Sequence, residues 1–587
     1  MDIDEAIHSV GDFGRGQILI FLAVCVMAQM IPSWIIFGIT FLGAFPDHFC
    51  KLPLDAPIED NIPLVKTDGE YLYDRCTQYA YPGDLNNLTV PCQNGWTFSE
   101  KPFGTTIVTE WDLVCDRSEL VALTQSILMV GTMVGSVIFG HLSDRMGRRP
   151  VLMTSLFFQG CLGVVLSFSP NYWFFLLVRF FMGSLDQGYQ LPGFSFVSEM
   201  FTPRKRPIGF TIFISFWGLG IMSLAVLAFL IRNWRYLQIA ISLPFVLVVF
   251  ICWFVPESPR WLVSIGKYPE ASAILNKLAR FNGSKIDPVV LIPKRFVDYG
   301  IDNKSFVECE PKETDEHDKE QSEGTHRDAV TTLSLQVARK EVKNFKDDAD
   351  KFLKPKKDQS FSFLYLFKTR RMFLVTIVVC FTWFSISFAY HGVSLNSVRL
   401  AGNPYLNLFL SGAIEIPANF VAMTLSVRFG RRRPMCVLLI VSSIVCVTTS
   451  FIPRQSASGV DLTAAIATSA VIGKFFVATS YAVVTLYASE VFPTVVRSKG
   501  MGVALMSARV GSTLAPFVIF MDEIYHSMPT TTFGIVAALP SLAVLLLPET
   551  NLRSQPDTVE DIDLMFEERK LKMKMKKTRR DNNGSPT

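Results

Sequence analysis

The amino-acid sequence predicts an all-α membrane protein in which twelve transmembrane helices form two pseudo-symmetric six-helix bundles. The chain has 587 residues, of which 50% are hydrophobic and only 18% are charged. A soluble protein of this length would divide into several domains and carry more charge. Two further observations support the prediction: apolar blocks of about 20 residues and a repeat that relates the two halves of the chain.

The apolar blocks have the length that a helix needs to cross a bilayer. The first six blocks are 17–42, 119–140, 150–169, 172–196, 208–231 and 236–255. The second six are 372–395, 404–427, 434–452, 462–487, 499–521 and 531–547. The first block is too long for a cleavable signal peptide, and no small-residue cleavage pattern follows it.

The repeat is clearest where residues 198–209 return in changed form as residues 489–500, a shift of 291 positions. In both copies an arginine follows a glutamate by seven positions, as Arg206 follows Glu199 and Arg497 follows Glu490. Two more segments repeat: 144–150 (DRMGRRP) has a weaker echo in 427–433 (VRFGRRR), and 256–258 (PES) recurs as 548–550 (PET). Two homologous membrane bundles with a substrate site between them are typical of transporters.

The short loops predict the orientation of the chain. Loops after blocks 2, 4, 8 and 10 carry twelve lysines and arginines, against four in the short loops on the other side. Because cytoplasmic loops are the more basic ones, the first set and both termini are expected in the cytoplasm. The predicted domains are an N-terminal bundle at 1–255 with an extracellular loop at 43–118, a cytoplasmic linker at 256–371, a C-terminal bundle at 372–550 and a cytoplasmic tail at 551–587.

The extracellular loop contains four cysteines, Cys50, Cys76, Cys92 and Cys115, and a glycosylation sequon at Asn87. An even number of cysteines outside the cell predicts two disulfide bonds, whose pairing the sequence leaves open. Asn87 is expected to carry a glycan. The remaining cysteines show no metal-ligand spacing, so no metal site is expected.

Several motifs resemble those of a known family. Residues 140–149 (GHLSDRMGRR) resemble the loop signature of the major facilitator superfamily. Residues 109–115 (TEWDLVC), 256–262 (PESPRWL) and 487–497 (YASEVFPTVVR) are similar to the organic cation, organic anion and carnitine transporters. Residues 394–398 (SLNSV) and 415–418 (EIPA) look most like the carnitine and zwitterion branch. The resemblance covers nearly the whole chain and implies the major facilitator fold.

Charged residues at the predicted cytoplasmic helix ends are candidates for an inner gate. They are Asp144, Arg145, Arg148, Glu199, Arg206, Glu490 and Arg497. Carboxylates and guanidinium groups can pair across loops when the inner side is closed. The alternative is that these charges serve topology and packing alone.

Four charged residues fall inside apolar blocks: Asp186, Glu415, Lys474 and Arg509. Charged groups in the bilayer core are costly, and they usually face a cavity or a partner. Two acids and two bases leave two alternatives open. They form structural ion pairs, or they line a site that offers a carboxylate to an ammonium group and a guanidinium to a carboxylate.

The family resemblance bears on Arg509, since the matching position is usually acidic in the cation-selective branch and arginine in the anion and carnitine branches. Asn419 stands where anion transporters have lysine, and Glu415 is acidic. The chain therefore departs from both extremes. A zwitterion would use Arg509 as a carboxylate clamp, with Glu415 or Asp186 near its ammonium group.

A quaternary ammonium group also needs aromatic faces. The candidates are Trp34, Tyr189, Phe216, Trp217, Trp383, Tyr390, Phe475 and Tyr481. Tyr390 and Trp217 lie beside polar or glycine positions and are the preferred pair.

These observations predict a multi-pass plasma-membrane carrier for small organic cations and carnitine-like zwitterions that works by alternating access. Sodium is the candidate coupling ion, the lipid bilayer is the surrounding partner, and neither a cofactor nor nucleic acid is expected. The alternatives are an organic anion exchanger, a sugar porter, and a receptor or scaffold that does not transport. An enzyme is not expected, because the chain has no P-loop, HExxH or framed GxSxG motif.

Overall fold

The computed structural model describes residues 3–11, 14–53, 57–67, 70–81, 88–202, 205–283, 291, 363–399, 402–453, 455, 460–493, 496–520, 528–550, 556 and 559–567. The first six membrane helices are α1 (Arg15–Leu42), α2 (Glu119–Met146), α3 (Arg148–Ser167), α4 (Tyr172–Met200), α5 (Arg206–Leu230) and α6 (Trp234–Cys252). The second six are α7 (Arg370–Asn396), α8 (Pro404–Phe429), α9 (Arg432–Ser450), α10 (Thr463–Val491), α11 (Arg497–Phe520) and α12 (Met528–Val544). This arrangement confirms the predicted fold class.

Among the described helices, nine are long and apolar enough to cross a membrane by length and composition. Of the other three, α6 and α12 are shorter apolar helices, and α4 carries charged residues in its interior. Three helices run four or more residues past the ends of their apolar blocks, α2 to Met146, α4 to Met200 and α10 to Val491. The apolar block covers only the part of a helix that lies within the bilayer. The helix itself can continue into the polar region beyond, so the last turns of these helices contain polar residues.

Particular residues set the helix ends. Gly147 (φ 105°) and Gly430 (φ 85°) allow the abrupt turns from α2 into α3 and from α8 into α9, since positive φ favours glycine. The side chains of Asn171, Thr369 and Asn403 accept backbone N–H groups at the starts of α4, α7 and α8. Such caps satisfy donors that the first helical turn leaves free.

The end of the bundle that carries residues 43–118 is called the disulfide face, and the end with the loops after α2, α4, α8 and α10 is called the arginine face. At the disulfide face a small domain contains strands β1 (His48–Cys50), β2 (Leu64–Thr67), β3 (Glu70–Tyr73), β4 (Thr77–Tyr79), β5 (Thr89–Pro91) and β6 (Trp96–Phe98). They form the antiparallel pairs β1–β6, β2–β3 and β4–β5, beside short helices at Ile58–Asn61 and Ile107–Trp111 and a 3-10 turn at Cys115–Arg117. Disulfide bonds join Cys50 to Cys92 and Cys76 to Cys115. Asn87 lies outside the described residues.

Glu110 anchors this domain to the helices. Its carboxylate accepts hydrogen bonds from Trp234 Nε1, at 2.7 Å, and from the guanidinium of Arg235. Trp111, the next residue, packs edge-on against Trp234 and Phe175. Residues 109–115 (TEWDLVC) therefore attach the small domain to the ends of α4 and α6.

The two halves meet between the disulfide face and the middle of the membrane. Tyr405 of α8 donates to the carbonyl of Pro102 at 2.9 Å and stacks on Phe41 of α1, with ring centroids 5.1 Å apart. Between α5 and α8, a Cβ atom built at Gly218 would lie 2.7 Å from the carbonyl oxygen of Gly412, so only glycine permits this approach. Ser126 of α2 donates to the carbonyl of Thr513 in α11 at 2.7 Å. These contacts close the disulfide face.

Short helices cover the arginine face. The helix Ile3–Val10 packs on the helices Pro259–Ser264 and Tyr268–Asn282, and Asn282 bridges Val10 and Gly16 through its side-chain amide. In the second half, helical residues 559–567 pack against the 3-10 turn Phe363–Phe367 and the start of α7. Residues 284–290 and 292–362 of the linker, and the basic end of the tail, lie outside the described residues.

Candidate substrate site between the halves

The centre of the site is a buried ion pair between two membrane helices of the second half. Lys474 Nζ of α10 lies 2.9 Å from Glu415 Oε1 of α8, and the side chains are only 2% and 4% exposed. The ammonium group also donates to Ser394 Oγ. Tyr390 of α7 donates from its hydroxyl to the same Glu415 oxygen at 2.6 Å. These four residues are called the Lys474 cluster.

Aromatic rings surround the ammonium group. Lys474 Nζ lies 3.7 Å from the centroid of the Tyr390 ring and 6.0 Å from that of Phe37 of α1. Trp217 of α5 donates from Nε1 to the Tyr390 hydroxyl at 2.9 Å, and its ring meets Phe37 edge-on. An ammonium group over an aromatic face is attracted by the ring quadrupole. Both halves therefore contribute to the cluster's surroundings.

The position of Glu415 follows from an interruption in α8. The helix consists of two stretches, Pro404–Ala413 and Glu415–Phe429, with a turn at Ile414. Pro417 has no N–H group, and its ring crowds the carbonyl four residues earlier, so the helix breaks there. Glu415 becomes the first residue of the second stretch, where a carboxylate is favoured by the unsatisfied N–H groups. The break in α8 thus directs the Glu415 carboxylate toward Lys474.

Asp186 lies halfway along α4 and is held by its own helix. Its carboxylate accepts hydrogen bonds from Tyr189 Oη at 2.8 Å, Gln187 Nε2 at 3.0 Å and Gln190 Nε2 at 2.8 Å. Only 1% of the residue is exposed. Three donors satisfy much of its hydrogen-bonding capacity without a cation.

Arg509 lies halfway along α11 and differs from the other three charged residues. Within the described part of the chain, no hydrogen bond or ion pair joins its guanidinium to a neighbour, and the residue is half-buried. A half-buried guanidinium with open donors can bind a carboxylate through two parallel hydrogen bonds.

His391 lies beside the Lys474 cluster. It follows Tyr390 in α7, donates from Nδ1 to the Ser387 carbonyl at 2.9 Å, and stacks against Phe37. The same helix α7 packs against α11, where a Cβ atom at Gly511 would lie 2.4 Å from the Phe384 carbonyl oxygen. The Lys474 cluster and Arg509 therefore lie on neighbouring helices.

The structure brings Glu415, Lys474, Tyr390 and Trp217 together, whereas Asp186 on α4 and Arg509 on α11 take no part in these contacts. Ser394 and Phe37 belong to the same site but were not among the sequence candidates. Ser394 stands in the SLNSV segment, which offered a signal, whereas Phe37 is one of 49 phenylalanines. Nothing in the sequence separated Phe37 from lipid-facing rings.

At the arginine face, Arg148 organises the charged residues of the first half. Its guanidinium donates to Asp144 Oδ1 at 2.7 Å, to Glu199 Oε1 at 3.1 Å and to the Ser143 carbonyl. The carboxylate of Glu257 accepts the backbone N–H groups of Arg148 and Arg149 at the start of α3. Burial raises the pKa of Glu257, although these N–H groups act in the opposite direction.

Arg431 plays the same part in the second half. It donates to Glu490 Oε1 at 2.8 Å and to the Ser426 carbonyl at 3.0 Å. Glu549 accepts the backbone N–H group of Arg431 at 2.9 Å, at the start of α9. The hydroxyl of Thr550 donates to the second oxygen of Glu490 at 2.6 Å.

The gate candidates pair inside their own halves in this conformation. Glu199 meets Arg148, and Glu490 meets Arg431, although the repeat had drawn attention to Arg206 and Arg497. Arg206 and Arg497 begin α5 and α11, and Arg497 Nε donates to the Phe492 carbonyl at 3.2 Å. Arg145 lies at the end of α2 with an exposed side chain.

Comparison with known proteins identifies the family to which this architecture belongs. The family model described as sugar (and other) transporter matches residues 78–289 and 316–566. The chain is 32% identical over 572 residues to an organic cation transporter-like protein of Drosophila melanogaster, covering 96% of this chain and 92% of the relative. It is 30% identical over 584 residues to solute carrier family 22 member 6-B of Xenopus laevis, covering 96% and 95%.

Among solved structures, the fold is similar to the inward open conformation of the xylose transporter XylE from E. coli. The TM-score is 0.53 at 15% identity, over 92% of this chain and 98% of that chain. The protein is thus a multi-pass membrane transporter of the major facilitator superfamily, and not an enzyme. Within that class, the chain belongs to solute carrier family 22, the organic cation and anion transporters.

Proposed function

We propose that this protein is a plasma-membrane carrier for small organic cations and carnitine-like zwitterions, with zwitterions as the preferred substrates. The observation that carries the proposal is the open guanidinium of Arg509 on α11, a helix that packs against α7, together with a cluster that already holds an ammonium group between a carboxylate and an aromatic ring. A zwitterion presents the two groups that these elements bind. A simple cation would leave Arg509 without a counter-charge.

The transport cycle is alternating access. The disulfide face is the extracellular side, and it is closed by contacts of Tyr405, Gly412 and Ser126 with the opposite half. The arginine face is the cytoplasmic side. Glu199 and Glu490 pair there within their own halves, and these pairs rearrange across the interface when the cytoplasmic side closes. Sodium is the candidate coupling ion.

An organic anion exchanger is the second candidate, and one observation favours it. Because Lys474 neutralises Glu415, the cluster has no net charge of its own, whereas the positive Arg509 has no ion-pair partner within the described residues. A carboxylate with no ammonium group would satisfy Arg509 alone.

Uptake of labelled carnitine, tetraethylammonium and benzoate by cells that express the protein, with and without sodium, tests the proposal. Carnitine is expected to enter fastest, tetraethylammonium more slowly and benzoate least. Uptake of benzoate alone would contradict the proposal in favour of the anion exchanger. Uptake of none, with the protein at the cell surface, would favour a receptor or scaffold.

A further inference from the structure

We infer that the substrate zwitterion inserts into the Glu415–Lys474 ion pair: its ammonium group replaces the lysine ammonium on Tyr390 and Glu415, and the released Lys474 joins Arg509 on the substrate carboxylate. This inference rests on the proposed function and assigns the selectivity for zwitterions to Lys474. Before the substrate binds, the Lys474 ammonium group occupies the place that the substrate's ammonium group takes.

The geometry around Lys474 Nζ is that of an ammonium-binding site. The group has a carboxylate oxygen at 2.9 Å, an aromatic centroid at 3.7 Å and the hydroxyl of Ser394 as a third partner. The second ring, Phe37, belongs to the opposite half of the protein. A carboxylate together with aromatic faces is also what an organic ammonium ion requires.

Charge balance then selects the substrate. The pair is neutral and almost fully buried, and a buried charge without a partner is strongly unfavourable. When a zwitterion enters between the two residues, every charge keeps an opposite neighbour: the substrate ammonium lies next to Glu415 and the substrate carboxylate next to Lys474. A simple cation on Glu415 would leave Lys474 unpaired, and a simple anion on Lys474 would leave Glu415 unpaired.

Arg509 lies on a helix that packs directly against the helix of Tyr390 and Ser394. The contact between α11 and α7 is so close that a Cβ atom at Gly511 would lie 2.4 Å from the Phe384 carbonyl oxygen. Tyr481 of α10 packs on the same stretch of α7, with its ring 5.2 Å from that of Tyr390 and 5.5 Å from that of Trp383. In the inferred complex, the substrate carboxylate lies between α10 and α11, with Lys474 and Arg509 as its two cations.

The test compares Lys474→Met, Glu415→Gln and the double variant, each normalised to its amount at the cell surface. In Lys474→Met, the ratio of tetraethylammonium uptake to carnitine uptake is expected to rise about tenfold or more, because Glu415 becomes free for a lone cation. In Glu415→Gln, the ratio of benzoate uptake to carnitine uptake rises instead. The two single variants thus shift selectivity in opposite directions.

The matched control is the exposed ion pair Lys267–Glu270, which has the same residue types and the same 2.9 Å separation, with side chains 54% and 56% exposed. Lys267→Met and Glu270→Gln are expected to leave both ratios unchanged. Because a buried variant can fold poorly, thermal stabilisation of the purified protein by each probe provides a second measurement. Carnitine should stabilise the unaltered protein most, and tetraethylammonium should stabilise Lys474→Met most.

Equal losses of all three probes in both single variants, with recovery in the double variant, would overturn the inference and make the pair structural. Failure of the proposed function looks different, because the unaltered protein would then fail to carry carnitine. The uptake profile of the unaltered protein therefore tests the function, and the opposite shifts of the variants test the insertion.

Discussion

Arg148 and Arg431 occupy matching places in the two halves and make almost the same contacts. Each donates to a glutamate of the fourth helix of its half and to a serine carbonyl five residues earlier, and each begins a helix whose N–H groups are accepted by a second glutamate. Halfway across the membrane the halves differ. A shift by 291 positions takes Lys474 to Gly183 and Arg509 to Gly218, so these charges have no counterparts.

The difference separates two roles. In the proposed transport cycle, the contacts at the arginine face are needed twice, because each half holds its own helices together while it moves as a unit. On the same proposal, the charges at the centre are needed once, because one substrate would bind between the halves. Gly183 and Gly218 instead permit close backbone approach, to Leu128 and to Gly412 respectively. Replacing residues of the two classes should therefore have distinguishable effects.

The largest effect is expected for Arg509→Ala. A charge-assisted contact to a carboxylate contributes about 2–3 kcal/mol, so carnitine uptake should fall by about 30- to 150-fold. Uptake of tetraethylammonium, which has no carboxylate, should change by less than about threefold. Initial rates at several substrate concentrations measure both.

The matched control is Arg399→Ala, because Arg399 lies at the disulfide face over the ring of Phe45, away from the centre. It should alter both substrates equally. Equal losses in Arg509→Ala would instead show that Arg509 supports the structure and does not bind the carboxylate.

Much of the fold could be predicted from the sequence, because the apolar blocks and the repeat can be recognised from the order of residues alone. The sequence also identified Glu415, Lys474, Tyr390 and Trp217 as candidates, because charged and polar residues are conspicuous in apolar helices. Their pairing could not be predicted. Whether Lys474 meets Glu415 or Asp186 depends on which helices are neighbours, and that is a property of packing.

The arginine face shows the same limit. The spacing of Glu199 and Arg206 repeats along the chain, yet the guanidinium that reaches Glu199 comes from Arg148, which is 51 positions away in sequence. Glu257 and Glu549 were visible as a repeated PES and PET motif, but their role as acceptors for the first N–H groups of α3 and α9 needed the three-dimensional arrangement.

An intermediate effect is expected for Gly412→Ala, which tests whether the contact between α5 and α8 keeps the disulfide side of the bundle closed. The added Cβ atom would lie 2.8 Å from the Gly218 carbonyl oxygen, so α5 and α8 would have to separate. Overpacking of this kind costs about 1–3 kcal/mol, and the closed disulfide face should become less populated. Transport should fall about tenfold, and a cysteine introduced at Ser126 should become more reactive toward a membrane-impermeant thiol reagent.

Gly502→Ala is the control, because a Cβ atom at that position meets no heavy atom within 4 Å. It should leave both the transport rate and the labelling unchanged. If Gly412→Ala behaved like this control, the contact between α5 and α8 would not limit closure.

The smallest effect is expected at the repeated contacts of the arginine face. Glu257→Ala and Glu549→Ala each remove the acceptor for the first N–H groups of a helix, at the starts of α3 and α9. Loss of such a cap lowers the free energy of unfolding by about 1–2 kcal/mol. Because the two sites lie in different halves, the double variant should show the sum of the two losses. Thermal unfolding of the purified protein measures this, with the exposed Glu270→Ala as a control that should change stability by less than about 0.5 kcal/mol. Unequal losses would mean that the two halves share sequence motifs and contact geometry but differ in how much these contacts stabilise them. The symmetry would then reflect a common origin of the halves and not an equal contribution to stability.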